Sequence, residues 1–162
     1  MIRRAEERDL EDLRRLLLQV CRIHADGRPD LFKSGGIKYT REELLVLLHD
    51  DTRPVHVYEE NGRVLGYVFS ILEEAKETTA LHPVRTLYID DLCVDREARG
   101  RGIGRLLYQQ ALETAKELDC DRVTLHAWNF NRAAFGFYEK LGMTPLVTTM
   151  EQRLSPEKEE RS

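Results

Sequence analysis

Apolar residues recur at helical spacing in four segments of the chain. The predicted helices cover residues 8–25, 40–48, 103–118 and 131–141, and in each of them the apolar positions return every three or four residues. Local signals suggest where they begin and end. Asp9 is a candidate N-cap, Thr40 and Glu43 fit a capping box, and Gly142 closes the last helix.

Other segments alternate apolar and polar residues and predict strands. These segments are residues 1–5, 54–60, 63–74, 86–94, 122–128 and 144–154. The dipeptide Asn61-Gly62 joins the second and third strands and is well suited to a two-residue hairpin turn. Polar residues 75–85 form a loop before the fourth strand, and residues 24–38 form a loop with Leu31 and Phe32 as apolar anchors.

The fourth strand carries a break in its apolar run. Asp90 and Asp91 are adjacent, so one carboxylate points to whichever face is buried, unless a β-bulge resets the alternation. These aspartates could simply pair with Arg85 or Arg122. A carboxylate in an apolar strand is nevertheless costly without a partner, so one of the two is a candidate for catalysis or substrate binding.

The order of the elements predicts an α/β fold. A strand, a turn, a helix and a strand between residues 86 and 128 form a βαβ unit, whose two strands are expected to be parallel. The hairpin adds antiparallel partners, giving a mixed sheet covered by helices. We expect a single domain over residues 1–154 and a disordered charged tail at 155–162.

Composition narrows the class of protein. The 162 residues are 41% apolar and 33% charged, with a formal net charge of −4, which argues against a nucleic-acid partner. Three scattered cysteines indicate reduced thiols and a cytoplasmic location. The five histidines show no ligand spacing, so no metal is expected. We see no targeting segment and no apolar run of the roughly 20 residues that a membrane span needs.

Glycine and arginine are concentrated just before the third helix. The stretch from Arg99 to Arg105 reads RGRGIGR, and we call it the glycine-arginine turn. Glycines let an anion approach the free N–H groups of a helix N-terminus, and arginines add bidentate bonds to phosphate oxygens. The turn therefore suits a pyrophosphate. It lacks both the dinucleotide spacing GxGxxG and the Walker ending GK[ST].

Two motifs carry a resemblance to a known family. The pattern R-x-x-G-x-G from Arg99 to Gly104 resembles the acetyl-coenzyme A loop of the GNAT superfamily of N-acetyltransferases, and "NFNRAAFGFYEKLGM" is similar to its N-x-x-A-x-x-F-Y-x-x-x-G-[FM] segment. The element order agrees from residue 1 to about 154. The resemblance implies a mixed, mostly antiparallel sheet whose central parallel pair splays around the cofactor, with about four flanking helices.

The resemblance also implies which residues bind acetyl-coenzyme A (acetyl-CoA). The backbone from Leu92 to Val94 would pair with the pantetheine arm, and the Leu92 N–H would face the thioester oxygen. Asn131 would bond the cofactor or cap its helix, whereas Cys93 is a core residue rather than a nucleophile. The implied cofactor-binding residues are Leu92, Cys93, Val94, Arg99, Gly100, Arg101, Gly102, Ile103, Gly104, Arg105 and Asn131.

The implied reaction is direct attack of an amine on the thioester. An alkylamine is about one part in a thousand neutral at pH 7, so a base is needed. Asp90 matches the acidic residue proposed as base in polyamine-type relatives, and Asp91 is the second choice. Tyr138 matches the family's acid and would protonate the departing thiolate.

The acceptor is less well defined. Acidic residues on the acceptor side favour a small cationic amine over a protein N-terminus or lysine, although a solvated acidic face explains them equally well; these are Asp26, Asp30, Glu73, Glu74 and Glu77. A coenzyme A-binding sensor without activity and a nucleotide-binding module are the alternatives. Many relatives dimerise through their late strands, so a homodimer is also an option, although the sequence marks no interface.

Overall fold

The computed structural model describes residues 1–154 of the chain. These residues belong to two compact units. The first combines residues 1–19 with 37–126, and the second combines residues 20–36 with those from 127 onward. The expectation of a single domain over residues 1–154 stays a prediction, and the charged tail at 155–162 lies outside the described residues.

The first unit contains a five-stranded sheet whose strands follow one another in chain order. Neighbouring strands are antiparallel except for the last pair, which is parallel, as the βαβ pattern predicts. The strands are β1 (Ile2–Arg4), β2 (Val55–Glu60), β3 (Arg63–Ala75), β4 (Val84–Val94) and β5 (Arg122–Leu125).

Four α-helices occur within residues 1–154, and each lies close to its predicted position. They are α1 (Leu10–Gly27), α2 (Arg41–Leu48), α3 (Ile103–Glu117) and α4 (Arg132–Lys140). The capping box of α2 is confirmed: the Glu43 N–H donates to Thr40 Oγ1 at 3.1 Å, and the Thr40 N–H donates to the Glu43 carboxylate at 2.8 Å. Short 3-10 turns at Glu7–Asp9 and Arg96–Ala98 precede α1 and α3.

The predicted hairpin forms at Asn61-Gly62. Both residues adopt positive φ, at 52° and 77°, as a two-residue hairpin turn with the strand twist requires. β2 and β3 therefore pair along their length, with Glu60 opposite Arg63.

The two faces of the sheet are covered by different helices. Along β3, the Gly66 Cα faces α3, because an added Cβ would lie 2.9 Å from Leu107 Cδ1. On the opposite face, the Cys93 Sγ of β4 lies 3.8 Å from the Leu16 carbonyl oxygen of α1. In these first turns of α1, the side chains of Leu13, Leu16 and Leu17 are fully buried. Burying each of these leucines contributes about 1.5–3 kcal/mol.

Asp9 does not act as the N-cap of α1. It lies inside the 3-10 turn, where its carboxylate accepts the Glu6 N–H at 2.8 Å and binds Arg3 through two bonds of 2.7 and 2.8 Å. The pairing with Arg3, which lies on β1, fixes the entry to α1. Short-range sequence signals could not reveal this ion pair because its two members lie on separate elements.

One strand prediction near the C-terminus is too long and another is wrong. β5 ends at Leu125 instead of residue 128, and residues 144–154 form neither strand nor helix. Apolar side chains in the latter segment are largely exposed: Leu146 by 70%, Val147 by 80% and Met150 by 85%. Alternation selects the face of a strand, but a strand also needs a hydrogen-bonded neighbour.

The second unit holds an aromatic cluster. The cluster consists of the rings of His24, Phe32, Trp128 and Phe130. Trp128 stacks on Phe130 with 5.7 Å between ring centroids, and Phe32 is edge-on to Trp128 at 5.3 Å. Phe32 is thus an anchor as predicted, whereas Leu31 is 54% exposed and is not.

Gly66→Ala tests the close packing of α3 on β3. The new methyl group would lie 2.9 Å from the Cys93 carbonyl oxygen, a backbone atom that cannot move aside cheaply. We expect a loss of about 1–3 kcal/mol in the free energy of unfolding, measured by urea denaturation. Gly136→Ala is the control, because a Cβ there meets open space within helix α4 and should stabilise the helix by about 0.5–1 kcal/mol. Equal stability of the two variants would contradict the packing.

Candidate active site

A β-bulge in β4 places the two adjacent aspartates on the same face of the sheet. Asp91 is opposite Phe69 and Ile89 is opposite Ser70, so Asp90 is the extra residue. The bulge therefore resets the alternation, as the sequence allowed. Both carboxylates lie on the face of β3 that carries Phe69.

Asp90 is held by two side chains from the segment before α2. The Lys38 ammonium lies 3.0 Å from Asp90 Oδ1 and donates to the Asp90 carbonyl oxygen at 3.0 Å. The Tyr39 hydroxyl donates to the carboxylate and accepts a bond from Arg53 Nη2 at 2.9 Å. Burial and the negative charge of Asp90 raise the pKa of Tyr39, so its hydroxyl stays protonated.

Asp91 has a different environment. Its carboxylate accepts a hydrogen bond of 2.9 Å from the Tyr67 hydroxyl, whose ring packs edge-on against Phe69. Burial raises the pKa of Asp91 to about 6, although the Lys38 ammonium and the Tyr67 hydroxyl act in the opposite direction. A carboxyl with this pKa can accept and release protons near neutral pH.

The alternative pairing of these aspartates with arginine does not occur. Arg85 binds Glu74, and Arg122 Nε donates to Thr86 Oγ1 at 3.1 Å. No sequence signal marks Lys38, Tyr39 or Tyr67 as partners of these aspartates. Tyr39 is separated from Asp90 by 51 residues, so no local pattern could link them.

Beyond the bulge, one edge of β4 is open. β3 pairs with one edge of this segment, whereas β5 pairs with the other edge only from Thr86 to Ile89. Among the described residues, no strand continues along that second edge beside Asp90–Val94. The Asp95 N–H donates to the Leu65 carbonyl on the β3 side at 2.8 Å. Since N–H groups alternate in direction along a strand, those of Leu92 and Val94 face the open edge. A peptide-like chain could pair there as an added strand.

Cys93 points away from this edge and into the protein. It is 4% exposed, and its Sγ lies 3.8 Å from the Leu16 carbonyl oxygen. Burial raises the pKa of the thiol to about 12, so it stays protonated and is a poor nucleophile. This agrees with a core role for its side chain.

The glycine-arginine turn leads from the open edge into α3. Gly100 and Gly102 adopt φ of 79° and 80°, and Gly102 is the N-cap residue of α3. An added Cβ at either glycine would meet open space, so the backbone here is accessible to a ligand. Along the part of α3 that the structure describes, Leu106 is the first residue whose N–H bonds to a carbonyl, that of Gly102. The preceding N–H groups suit an anion.

The arginines of the turn differ in their contacts. Arg99 Nε donates to the Val94 carbonyl oxygen at 3.3 Å, which ties the turn to the end of β4. Arg101 binds both oxygens of Glu60 at 2.8 and 2.9 Å, while Arg105 is exposed on the first turn of α3. Ile103 is 2% exposed and anchors α3 in the core, and Gly104 follows it within the first turn.

Asn131 and Tyr138 belong to the second unit. The Asn131 side chain accepts the Ala134 N–H at 3.2 Å and so caps α4, one of the two roles expected of it. Tyr138 lies in α4 two turns later, with its ring edge-on to Phe137 at 5.1 Å. Gly142, with φ of 101°, ends the helix as predicted.

Acidic residues expected around an acceptor are partly neutralised by neighbouring arginines. Asp30 binds Arg28 at 2.7 Å, and this guanidinium lowers the pKa of Asp30 to about 2. Glu74 is paired with Arg85. Asp30 and Glu74 are therefore engaged in ion pairs, of which the first is largely shielded from solvent and the second is exposed.

No group of three or more histidine, cysteine, aspartate or glutamate side chains in residues 1–154 could hold a metal ion. None of the described helices is long and apolar enough to cross a membrane.

Sequence comparison links the chain to acetyltransferases. Residues 17–143 match the model of the acetyltransferase (GNAT) family. An uncharacterised N-acetyltransferase of Methanocaldococcus jannaschii is 29% identical over 146 residues, which are 87% of this chain and 59% of that protein. A mycothiol acetyltransferase of Beutenbergia cavernae is 42% identical over 118 residues, which are 73% of this chain and 34% of that protein. The chain thus spans less than two thirds of these curated relatives.

Solved structures share the fold over the whole described chain. A mutant form of the BH1408 protein from Bacillus halodurans is 31% identical, with a TM-score of 0.92 over 96% of this chain and 99% of that one. The aminoglycoside N-acetyltransferase AAC(6')-Iy, solved in complex with CoA, is 15% identical and has a TM-score of 0.70 over 96% and 99%. The second likeness concerns the fold alone.

The open edge of β4, the glycine-arginine turn before α3 and the match over residues 17–143 lead to one conclusion. The chain belongs to the GNAT family of acetyltransferases.

Proposed function

We propose that this protein transfers an acetyl group from acetyl-CoA to a primary amine. The observation that carries the proposal is the open edge of β4 at Leu92–Val94, which lies between two carboxylates and the glycine-arginine turn. These features supply a backbone edge for an extended chain, free N–H groups for phosphates and a base for an amine.

The cosubstrate would lie along the open edge and reach the turn. Its pantetheine arm contains amide groups that can pair with the N–H and C=O groups of Leu92 and Val94. Its diphosphate would bind the free N–H groups of residues 100–105 with Arg99 nearby. Arg101 would have to break its ion pair with Glu60 before it could bind the diphosphate. The Asn131 side-chain oxygen caps α4, so Asn131 would bind the cosubstrate through its other polar atoms.

Bound acetyl-CoA supplies the acetyl group as a thioester, whose carbonyl carbon is open to attack by a neutral amine. The Leu92 N–H at the open edge would donate to the carbonyl oxygen as negative charge develops on it. This N–H also acts on the Asp91 carboxyl by lowering its pKa, so the thioester oxygen would share or replace that contact.

We propose Asp91 as the base, in preference to Asp90, which the sequence favoured. The Asp90 carboxylate already binds the Lys38 ammonium and accepts a bond from Tyr39, so its charge is engaged. Asp91 has one hydroxyl partner, and its pKa is raised to about 6. It can therefore take a proton from an ammonium group, directly or through water, and release it to solvent.

Tyr138 would be the acid that protonates the departing thiolate. A phenol has a pKa near 10 and so carries its proton at neutral pH. Its position in the motif of α4 supports this role through the family resemblance.

The acceptor is proposed to be a small cationic amine. The carboxylates of Asp90 and Asp91 lie on one face of the sheet and favour a positively charged acceptor. A thialysine N-epsilon-acetyltransferase of Bos taurus is 32% identical to this chain over 63 residues. Acetylation of a protein N-terminus or lysine is the alternative. A panel of amines with products identified by mass spectrometry separates the two, and transfer to no amine would favour a coenzyme A sensor.

The assembly and the location stay predictions. The exposed apolar side chains of Leu146, Val147 and Met150 offer a surface for the homodimer that the family resemblance suggests. None of the three cysteines forms a disulfide within residues 1–154, which is consistent with the proposed cytoplasmic location.

The pH dependence of activity tests the base. Because protonated Asp91 cannot accept a proton, kcat/KM should fall about tenfold per pH unit below pH 6 and level off above it. The acceptor should be an alkylamine that stays cationic throughout this range, so that Asp91 has an ammonium to deprotonate and the ionisation of the acceptor does not contribute to the pH dependence. Asp91→Asn should lower kcat/KM by about 100-fold or more and remove this dependence. Asp90→Asn is the matched control, and its kcat/KM should still fall below pH 6. Persistence of the acidic limb in Asp91→Asn would exclude Asp91 as the base.

Tyr138→Phe tests the acid. The substitution keeps the aromatic ring and removes the hydroxyl group that would donate the proton. We expect kcat to fall by about 100-fold while the dissociation constant for acetyl-CoA stays unchanged. Tyr58→Phe, on β2, is the control and should have normal kcat. A kcat equal to that of the unmodified chain would rule out proton donation by Tyr138.

Thermal shift with coenzyme A and ATP tests the binding mode. Coenzyme A should raise the melting temperature more than ATP at equal concentration, because only it has a pantetheine arm for the open edge of β4. Gly102→Val should distort the turn and raise the dissociation constant of coenzyme A by about tenfold or more. Gly35→Val, at a similar φ of 72°, controls for backbone strain and should bind normally. Equal shifts with ATP and coenzyme A would instead indicate a module that recognises phosphates alone.

A further inference from the structure

An amine of the chain itself already lies at the acidic pair. The Lys38 ammonium contacts Asp90 twice, at the Oδ1 atom and at the carbonyl oxygen, both at 3.0 Å. Asp90 has 11% of its side chain exposed, whereas Lys38 has 38% exposed. Lys38 is therefore an alkylammonium held by a carboxylate, which is the chemistry that we propose for the acceptor.

The groups next to Lys38 are those that acyl transfer to an amine requires. Asp91 follows Asp90 in the bulge, and the charge of Lys38 acts on it by lowering its pKa. Leu92 comes next, and its N–H faces the open edge of β4 because the Asp95 N–H, three residues on, faces β3. The base, Asp91, and the hydrogen-bond donor, Leu92 N–H, are thus adjacent in β4. The amine of Lys38 is bound to Asp90, the residue that precedes them.

We propose that Lys38 is a site of self-acetylation, in which this chain transfers an acetyl group from acetyl-CoA to its own Lys38 Nζ. This inference rests on the proposed function. Asp91 would take one proton from the Lys38 ammonium, and the neutral nitrogen would attack the thioester carbonyl carbon. A C–N bond forms, the C–S bond breaks, and the thiolate takes the second proton, giving acetyl-lysine and free coenzyme A.

Proximity explains why Lys38 should react ahead of other lysines. An amine fixed beside its reaction partner gains a large effective concentration over one that must collide with it. Lys116 is a useful comparison, because it also pairs with a carboxylate, that of Glu113 at 2.9 Å, but on the exposed side of α3. Its side chain is 71% exposed, so it reports the rate of ordinary chemical acetylation.

Acetylation of Lys38 would also change the acidic pair. The amide has no positive charge, so the ion pair with Asp90 would be lost and the carboxylate would be available to an external ammonium. Self-acetylation would thereby increase the negative charge facing the acceptor.

The experiment follows acetyl incorporation into the purified chain. The protein is incubated with acetyl-CoA, and intact mass and peptide mapping record the modified lysines over time. We expect one acetyl group, on Lys38, appearing about 100-fold or more faster than on Lys116. Its first-order rate constant should not depend on protein concentration, as expected for transfer within one molecule. Asp91→Asn should slow it by about 100-fold or more.

Two conservative variants complete the test. Lys38→Arg keeps the charge at Asp90 and should abolish the fast incorporation, whereas Lys116→Arg should leave it intact. Equal rates at Lys38 and Lys116, or a rate constant that rises with protein concentration, would overturn the inference. Transfer to small amines without labelling of Lys38 would overturn it and leave the proposed function standing. Absence of both transfers would count against the proposed function itself.

Discussion

The β-bulge at Asp90 is the constraint on which the rest of the site depends. One extra residue in β4 turns two neighbouring carboxylates to the same face of the sheet, where strict alternation would have separated them. The parallel pairing with β5 stops at Ile89, just before the bulge. The same irregularity therefore coincides with the acidic pair and with the start of an unpaired backbone edge, which brings the groups for amine and thioester chemistry within a few residues.

Electrostatics then distinguishes the two carboxylates. Asp90 is paired with a cation and hydrogen-bonded by a tyrosine, so its negative charge is well compensated. Asp91 is half-buried beside Tyr67, and desolvation makes its charged form less favourable. Two identical side chains, adjacent in sequence, thus have different surroundings: Asp90 binds the Lys38 ammonium, and the pKa of Asp91 is raised to about 6.

The scaffold holds this region in place through contacts that are remote in sequence. Gly66 lets β3 and α3 approach closely, and the buried carboxylate of Asp95 binds Arg15 of α1 at the end of β4. The direction of β4 and the start of the glycine-arginine turn are therefore fixed from both faces of the sheet. A turn built on two glycines with positive φ can then present its N–H groups to an anion without side chains in the way.

The sequence by itself determined much of this protein. Apolar periodicity located four helices and the first five strands, Asn61-Gly62 marked the hairpin, and two motifs identified the family, because these signals are local and depend on neighbouring residues. Only the tertiary structure decided which way Asp90 and Asp91 face and what they bind, since Lys38 and Tyr39 reach Asp90 across more than 50 residues. It also decided where strands stop: β5 and residues 144–154 have the alternation of a strand, but strand formation depends on a pairing partner that alternation alone does not specify.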